Sequence, residues 1–122
     1  MPVLEVRVVG ELAGGLDDGL AQRIADAAAE VLGSRPRGTW VTVDMVAAER
    51  YGENGGVEAG VAPVFVRVLL RDGPPGADAA ERVAALTGAV AGCCGRAPEN
   101  VHIIFEPAAA GRVAFGGRLV EP

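Results

Sequence analysis

Short runs of β-branched and aliphatic residues alternate along the chain with longer segments in which apolar positions recur at helical spacing. Val3–Val9 and Val64–Leu70 are nearly continuously apolar, which is typical of strands covered on both faces. Two further apolar runs, Trp40–Met45 and Val101–Phe105, follow the helical segments and predict a second strand in each half. The pattern therefore predicts the order strand–helix–strand twice.

Each predicted helix has an apolar stripe and a stop signal. The stripes consist of Leu20, Ile24, Ala27, Val31 and Leu32 in the first half and of Val83, Leu86 and Val90 in the second. Asp17 and Asp78 are the predicted N-caps, because a carboxylate can accept a hydrogen bond from the free N–H groups of a first helical turn. Gly33 and Gly95, each followed by a proline three residues later, predict the two C-terminal ends.

The two halves are copies of one unit with a period near 61 residues. A shift of 61 places Pro2-Val3 on Pro63-Val64 and Gly55-Gly56 on Gly116-Gly117. We therefore expect one domain, residues 1–122, made of two repeats, 2–61 and 62–122. Because parallel strands need a right-handed crossover, two β-α-β units predict an α/β (α+β) fold with a four-stranded sheet and two helices on one face. The strands predict that the other face is also apolar and is covered in a closed symmetric oligomer.

Composition and charge exclude several classes of protein. The chain has 122 residues, 50% of them hydrophobic, and a formal net charge of −5. Its basic residues are scattered, which argues against a nucleic-acid partner. The chain shows neither a signal-peptide pattern nor an apolar stretch long enough to span a membrane, so we expect a cytoplasmic protein without a membrane partner. Cys93 and Cys94 are adjacent and are predicted to be reduced thiols.

Neither a metal nor a cofactor is predicted from the residues. His102 is the single histidine, so the chain lacks a Cys/His ligand set for a metal. A glycine-rich phosphate loop between a strand and a helix is also missing from the pattern. The paired glycines are better explained as turns.

The second half resembles the tautomerase superfamily, typified by 4-oxalocrotonate tautomerase. The stretch Pro98–Gly117, PENVHIIFEPAAAGRVAFGG, carries the resemblance, and Pro2 to Gly56 is a weaker copy. Leu86–Val101, LTGAVAGCCGRAPENV, is similar to malonate semialdehyde decarboxylase, and Val64–Gly73, VFVRVLLRDG, is similar to cis-3-chloroacrylic acid dehalogenase. The resemblance implies a β-α-β fold, a catalytic N-terminal proline and a homotrimer of fused units.

Pro2 is the candidate catalyst because removal of Met1 would leave it with a free secondary amine. An α-amine has a reference pKa of about 7.7–8.0, and an apolar pocket or nearby cations favour its neutral form. A neutral amine can move a proton between carbon atoms beside a carbonyl. Pro63 holds the matching position in the second repeat, but Ala62 acylates its nitrogen, so Pro63 is predicted to be structural. If Met1 is retained, Pro2 is acylated too and the mechanism fails.

The resemblance also implies partners for the amine. Arg71 matches one arginine of the dehalogenase-like motif and is the candidate carboxylate ligand, or else a solvated strand-end charge paired with Asp72. The second arginine of that motif falls at Pro74, so the pair is broken. The tautomerase pattern has an arginine where this chain has His102, which would bind an anion or be structural. Phe115 and Tyr51 are candidate pocket walls, with packing as the alternative role.

Three functions stay open at this point. The first is a tautomerase or isomerase that acts on a small 2-oxo or enol carboxylic acid. The second is a dehalogenase-, hydratase- or decarboxylase-like enzyme on a three-carbon acid, although its additional carboxylate is not found at the aligned position. The third is a non-catalytic trimeric ligand-binding or structural protein.

Overall fold

A computed structural model of the chain describes residues 2–12, 15, 18–77 and 79–122. Two β-α-β units are followed by a short hairpin. The elements are β1 Val3–Val9, α1 Leu20–Leu32, β2 Trp40–Val46, β3 Val64–Leu69, α2 Ala79–Cys94, β4 Val101–Phe105, β5 Ala114–Phe115 and β6 Arg118–Leu119. Each of the four long strands lies within one residue of its predicted bounds.

The four long strands form one mixed sheet in the order β2-β1-β3-β4. The strands of each unit pair in parallel, β1 with β2 and β3 with β4, and the two units join through the antiparallel pair β1 and β3. Two helices and a four-stranded sheet confirm the predicted α+β architecture. In this topology the start of β1 lies at the same sheet edge as the start of β2 and the end of β3.

One core fills the space between the sheet and the two helices. Alternate residues of the central strands are fully buried there, as are the residues of both helices that face them. These are Leu4, Val6 and Val8 of β1, Val64, Val66 and Val68 of β3, Leu20, Ile24 and Ala28 of α1, and Leu86, Val90 and Ala91 of α2. Most of these side chains are small, so close packing depends on the direct contact between α1 and α2.

Both helices end at the glycines that the sequence predicts. Gly33 and Gly95 follow the last residues of α1 and α2 with left-handed φ of 68° and 63°, which confirms both predicted stops. At the start of α1 the N-cap is Gly19, and it makes no side-chain cap. Asp17 and Asp78, the two predicted caps, lie outside the described residues.

The prediction that the second sheet face is apolar is wrong. On this helix-free face, exposed Glu5, Arg7 and Arg67 of the two central strands stand between apolar neighbours. Arg67 pairs with Glu106 at 3.1 Å. The central strands are therefore apolar on one face and mixed on the other, because every second position of an otherwise apolar run is free to carry charge.

The two Gly-Gly segments form different structures. Gly116-Gly117 is the turn between β5 and β6, and both glycines have positive φ, 59° and 85°. Gly55-Gly56 also has positive φ, 86° and 108°, but this turn joins no strands. Among the described residues, no helix is both long and apolar enough to cross a membrane.

Candidate functional site

Pro2 lies in a cleft of about 450 Å³ at one edge of the sheet. The topology explains its walls. Because β1 and β2 are parallel, the turn before β2 arrives beside Pro2, and because β3 is antiparallel to β1, the loop after β3 arrives there as well. We call it the Pro2 cleft; its walls are Pro2, Leu32, Gly33, Ser34, Arg35, Gly38, Leu70–Gly76 and Arg82.

Main-chain geometry fixes the position of Pro2. Its carbonyl oxygen accepts a 3.0 Å hydrogen bond from the N–H of Trp40, the first residue of β2. The turn before β2 is tight: the side chain of the buried Thr39 donates to Ser34 at 2.6 Å. A Cβ on Gly38 would approach the carbonyl oxygen of Arg35 to 2.9 Å, so this position requires glycine. The partly buried proline ring is therefore held against a rigid wall.

Arg71 lines the same cleft, from the loop that follows β3. Its guanidinium donates to Asp72 at 2.7 Å and to the main-chain oxygens of Glu121 and Pro122 at 2.8 and 3.3 Å. Both predicted roles of Arg71 fit this position. Its half-exposed side chain pairs with Asp72, as a solvated strand-end charge would, and it also lines the Pro2 cleft, where it can bind a carboxylate. Gly73, with φ of 83°, closes the turn that carries it.

Two further arginines of the Pro2 cleft were missed by sequence reasoning. Arg35 comes from the turn before β2, and Arg82 comes from the first turns of α2. Within the described ranges, neither side chain has a hydrogen-bond or ion-pair partner. The signal that could have found them is topological: both segments reach the sheet edge at which β1 begins.

Phe115 is connected to the Pro2 end of the sheet through Trp40. The two rings meet edge to face with centroids 5.2 Å apart, and the indole N–H donates to the carbonyl oxygen of Arg37 at 3.0 Å. Trp40 is 50% exposed. Phe115 therefore lies next to the cleft's supporting strand, while the walls of the cleft itself come from other residues.

Tyr51 and His102 lie at the other end of the sheet. The ring of Phe65 stands between them, with centroid distances of 6.0 Å to Tyr51 and 5.4 Å to His102. His102 shares its row of the sheet with Arg7, five residues along β1 from Pro2. At about 3.3 Å per residue, this row is roughly 16 Å from Pro2. Tyr51 and His102 therefore do not reach the Pro2 cleft of their own chain.

The Tyr51 end has a cavity of its own, of about 380 Å³, on the helix-free face. Its charged walls include Glu5, Arg7, Asp44, Arg50 and Arg67. The Tyr51 hydroxyl donates to the Glu53 carboxylate at 2.6 Å. This hydrogen bond, together with partial burial and the negative charge of Glu53, raises the pKa of Tyr51 above its ordinary value, because each favours the protonated phenol.

The second proline of the repeat is part of the core. Pro63 is fully buried, and its carbonyl oxygen accepts a 3.0 Å hydrogen bond from the N–H of Val9. The preceding Ala62 is held by Arg96, which donates to the carbonyl oxygens of Ala62 at 2.6 Å and Glu11 at 2.9 Å. Arg96 thus ties the junction between the repeats to the loop after β1, and Asn100 Oδ1 accepts a further hydrogen bond from the N–H of Ala62 at 3.4 Å.

The cysteines are free thiols in the second helix. Cys94 is buried and Cys93 is partly buried. Burial raises the pKa of both thiols, because the thiolate is desolvated, although Arg23 acts in the opposite direction. Neither cysteine is among the residues that line the Pro2 cleft.

Solved structures match the chain over nearly its whole length, whereas no protein-family model and no curated protein sequence matches it. A fused 4-OT in a symmetric trimer is 20% identical with a TM-score of 0.77 and covers 97% of this chain and 94% of that chain. A protein inactivated by 2-oxo-3-pentynoate is 16% identical with a TM-score of 0.73, and 97% of this chain and 96% of that chain align. Macrophage migration inhibitory factor of Toxoplasma gondii is 18% identical with a TM-score of 0.68, over 95% and 97% of the two chains. The chain therefore has a fused, double-length tautomerase-like fold, as predicted.

Proposed function

We propose that this protein is a cofactor-independent tautomerase or isomerase. It moves a proton on a small 2-oxo or enol carboxylic acid and uses the amine of Pro2 as acid and base. The observation that carries the proposal is that Pro2 and Arg71, 69 positions apart in sequence, line one cleft. A base, Pro2, and a ligand for a carboxylate, Arg71, are thus in the same cleft.

The reaction follows from the chemistry of the groups. Once Met1 is removed, the neutral amine of Pro2 takes a proton from the carbon next to the substrate carbonyl. The electron pair of that C–H bond moves to the carbonyl oxygen and forms an enolate. The protonated amine then returns the proton to another position of the conjugated system, so atoms and charge balance. The arginines of the cleft stabilise negative charge as it develops on the substrate.

Arg71 is assigned to the substrate carboxylate. A guanidinium matches the two oxygens of a carboxylate, and one oxygen of the Asp72 carboxylate already accepts a hydrogen bond from Arg71 at 2.7 Å. Asp72 is strongly exposed, so a substrate carboxylate can replace it at little cost. Substrate binding therefore exchanges one ion pair of Arg71 for another.

The assembly that we propose is a homotrimer, as in the fused 4-OT structure. Half-exposed Trp40 and the 38% exposed Ile104 lie on the helix-free face, where a neighbouring subunit would cover them. Tyr51 and His102 can reach a Pro2 cleft only from another subunit, so we assign them to the intersubunit part of the site. Phe115 is assigned to the wall that supports Trp40.

Hydratase-, dehalogenase- or decarboxylase-like chemistry on a three-carbon acid is the second candidate. The observation that favours it is the hydrogen bond between Arg71 and the main chain of Glu121, which brings an acidic residue to the end of the Pro2 cleft. A carboxylate there would activate water for addition to the substrate. If the protein is an enzyme of this second kind, Glu121→Gln abolishes its turnover of 3-chloroacrylate. If the protein is a tautomerase, the same substitution leaves its ketonisation of an enol acid unchanged.

The test compares wild-type protein with Pro2→Ala in an assay that follows the conversion of a small enol acid to its keto form by ultraviolet absorbance. Intact mass must first show that Met1 is absent. We expect the Pro2→Ala rate to fall by about 100-fold or more, the range of a positioned acid or base. Pro107→Ala, at an exposed proline, is the matched control and should retain wild-type activity. Equal rates for all three proteins would favour the ligand-binding alternative.

A further inference from the structure

The chain itself occupies the hydrogen-bond donors of Arg71. Nη1 donates to the Asp72 carboxylate at 2.7 Å, and Nη2 donates to the main-chain oxygens of Glu121 and Pro122 at 2.8 and 3.3 Å. A guanidinium holds a carboxylate with two hydrogen bonds along one of two edges, Nε with Nη2 or Nη1 with Nη2. Both edges include Nη2, so a carboxylate cannot be bound in this way while the oxygens of residues 121 and 122 remain in place.

Residues 120–122, which follow β6, are anchored at one end only. Val120 is fixed by two main-chain hydrogen bonds: its oxygen accepts from the N–H of Gly111 at 2.7 Å, and its own N–H donates to the oxygen of Val113 at 2.8 Å. Beyond it, Glu121 and Pro122 are exposed, and within the described part of the chain their only hydrogen bonds are those from Arg71. This segment, which we call the strap, can therefore leave Arg71 without disturbing β6.

The loop that carries Arg71 is held more firmly than the strap. The N–H groups of Ala109 and Ala110 donate to the main-chain oxygens of Leu70 and Arg71, both at 3.0 Å. These hydrogen bonds fix the main chain of Arg71 next to the Pro2 cleft. When an external ligand competes for the guanidinium, the strap is therefore the partner that moves.

We propose that the strap is an autoinhibitory contact of the Pro2 cleft: its main-chain oxygens hold Arg71 until a substrate carboxylate displaces them. The inference rests on the proposed function and deepens it by adding regulation at the same site. If the substrate replaces Asp72 alone, it gains one hydrogen bond from Nη1, whereas displacement of the strap as well gives it a pair. The observed affinity is then the intrinsic affinity multiplied by the fraction of molecules in which the strap is open.

NMR relaxation follows the strap directly. The heteronuclear 1H–15N NOE of the Glu121 amide reports its fast motion, and the probes are 2-oxobutanoate and its uncharged methyl ester. We expect saturating 2-oxobutanoate to lower the NOE of Glu121, because the strap is released, and to leave that of Gly117 in the turn between β5 and β6 unchanged. The ester should change neither. A Glu121 NOE that stays constant or rises when 2-oxobutanoate is bound would overturn the proposal.

A variant with a looser strap tests the competition. Glu121→Gly with Pro122→Gly keeps both acceptor oxygens, but glycine loses more conformational freedom when the strap closes. We expect this variant to bind 2-oxobutanoate about 5-fold more tightly than Glu121→Gln does, measured by titration calorimetry. Glu121→Gln is the matched control, because it loses the same charge and keeps the proline. Equal affinities for the two variants, or no binding to either, would contradict the proposal.

These measurements separate the strap from the proposed reaction, because neither of them depends on turnover. If 2-oxobutanoate releases the strap but Pro2→Ala ketonises an enol acid as fast as wild type, the strap stands and proton transfer by Pro2 fails. If Pro2→Ala loses activity but the strap does not respond to 2-oxobutanoate, the proposed function stands and the strap fails.

Discussion

The main-chain N–H of Trp40 donates a 3.0 Å hydrogen bond to the carbonyl oxygen of Pro2. This contact joins the candidate catalyst to the only tryptophan of the chain, whose ring lies against Phe115. The emission of Trp40 is therefore a specific reporter of the Pro2 end of the sheet.

Phe115→Ala should shift the emission of Trp40 to longer wavelength. The substitution removes the edge-to-face neighbour at 5.2 Å, so the indole loses an apolar contact and becomes more accessible to water. Phe65→Ala is the control, because Phe65 contacts Tyr51 and His102 at the other end of the sheet. An emission spectrum that responds equally to both substitutions would contradict the placement of Phe115 beside Trp40.

Gly73→Ala and Gly76→Ala should have opposite effects on stability, although both glycines line the Pro2 cleft. Gly73 has φ of 83°, and an added Cβ would stand 3.2 Å from the main-chain nitrogen of Ala108. We expect Gly73→Ala to lower the free energy of unfolding by about 1–3 kcal/mol. An added Cβ at Gly76 meets no atom within 4 Å. Gly76→Ala should therefore be neutral or should raise the free energy of unfolding by about 0.4–1 kcal/mol, because alanine lowers the conformational entropy of the unfolded chain.

Urea unfolding measures both changes, at one protein concentration because an oligomer's stability depends on concentration. A Gly73→Ala variant as stable as wild type would mean that the turn after Arg71 can move away from Ala108 and accept a side chain.

Arg96→Ala should destabilise the protein more than Arg112→Ala. Each arginine donates to two main-chain carbonyl oxygens, but Arg96 joins Ala62 and Glu11, which are distant in sequence, whereas Arg112 bonds only to Pro107 and Ala108 of its own loop. Loss of a charged hydrogen bond that fixes the repeat junction should cost about 1.5–3 kcal/mol. The same unfolding experiment decides this, and equal losses for the two variants would be inconsistent with a clamp at the junction.

Tyr51 should ionise at higher pH in the folded protein than a free phenol, whose pKa is about 10. Its hydrogen bond to Glu53 raises the pKa by favouring the protonated form. The stabilisation is thus complete below the unfolded pKa and is lost as the pH rises through the higher folded value. Glu53→Ala should lower the pKa of Tyr51 towards 10, and Glu58→Ala, at an exposed acid without this contact, should not.

Because Tyr51 is the only tyrosine, tyrosinate absorbance near alkaline pH follows this single group. An identical titration curve for wild-type and Glu53→Ala protein would show that the hydrogen bond contributes nothing in solution.

The fold could be predicted from sequence largely because its signals are local and occur twice. The runs of β-branched residues and the stop glycines Gly33 and Gly95 each act through backbone sterics within a few positions. The N-terminal end of α1 could not be predicted in this way, since Gly19 caps it without a side chain. Arg7 and Arg67 are evident in the sequence. Their position on the same face of the sheet was not predicted, because the strands that contain them are almost continuously apolar and show no clear alternation of polar and apolar residues.

The candidate site could be predicted only in part, because it depends on contacts between distant segments. Pro2 and Arg71 could be proposed from a family resemblance and do lie at one cleft. Arg35 and Arg82 matched no motif, and only the sheet order brings their segments to the same edge. Tyr51 and His102 lie at the opposite end of the chain's own sheet, a separation that follows from the antiparallel pairing of β1 with β3.

The central claim is that Pro2 has a free, reactive amine. The most direct measurement is to treat the protein with 2-oxo-3-pentynoate, an electrophile whose conjugated alkyne accepts an amine by addition, and then to map the added mass by peptide mass spectrometry. The account predicts that Met1 is absent, that one equivalent of reagent is attached to the peptide beginning at Pro2, and that tautomerase activity is lost in proportion. A retained Met1, or a protein that stays active and carries the label elsewhere, would contradict it.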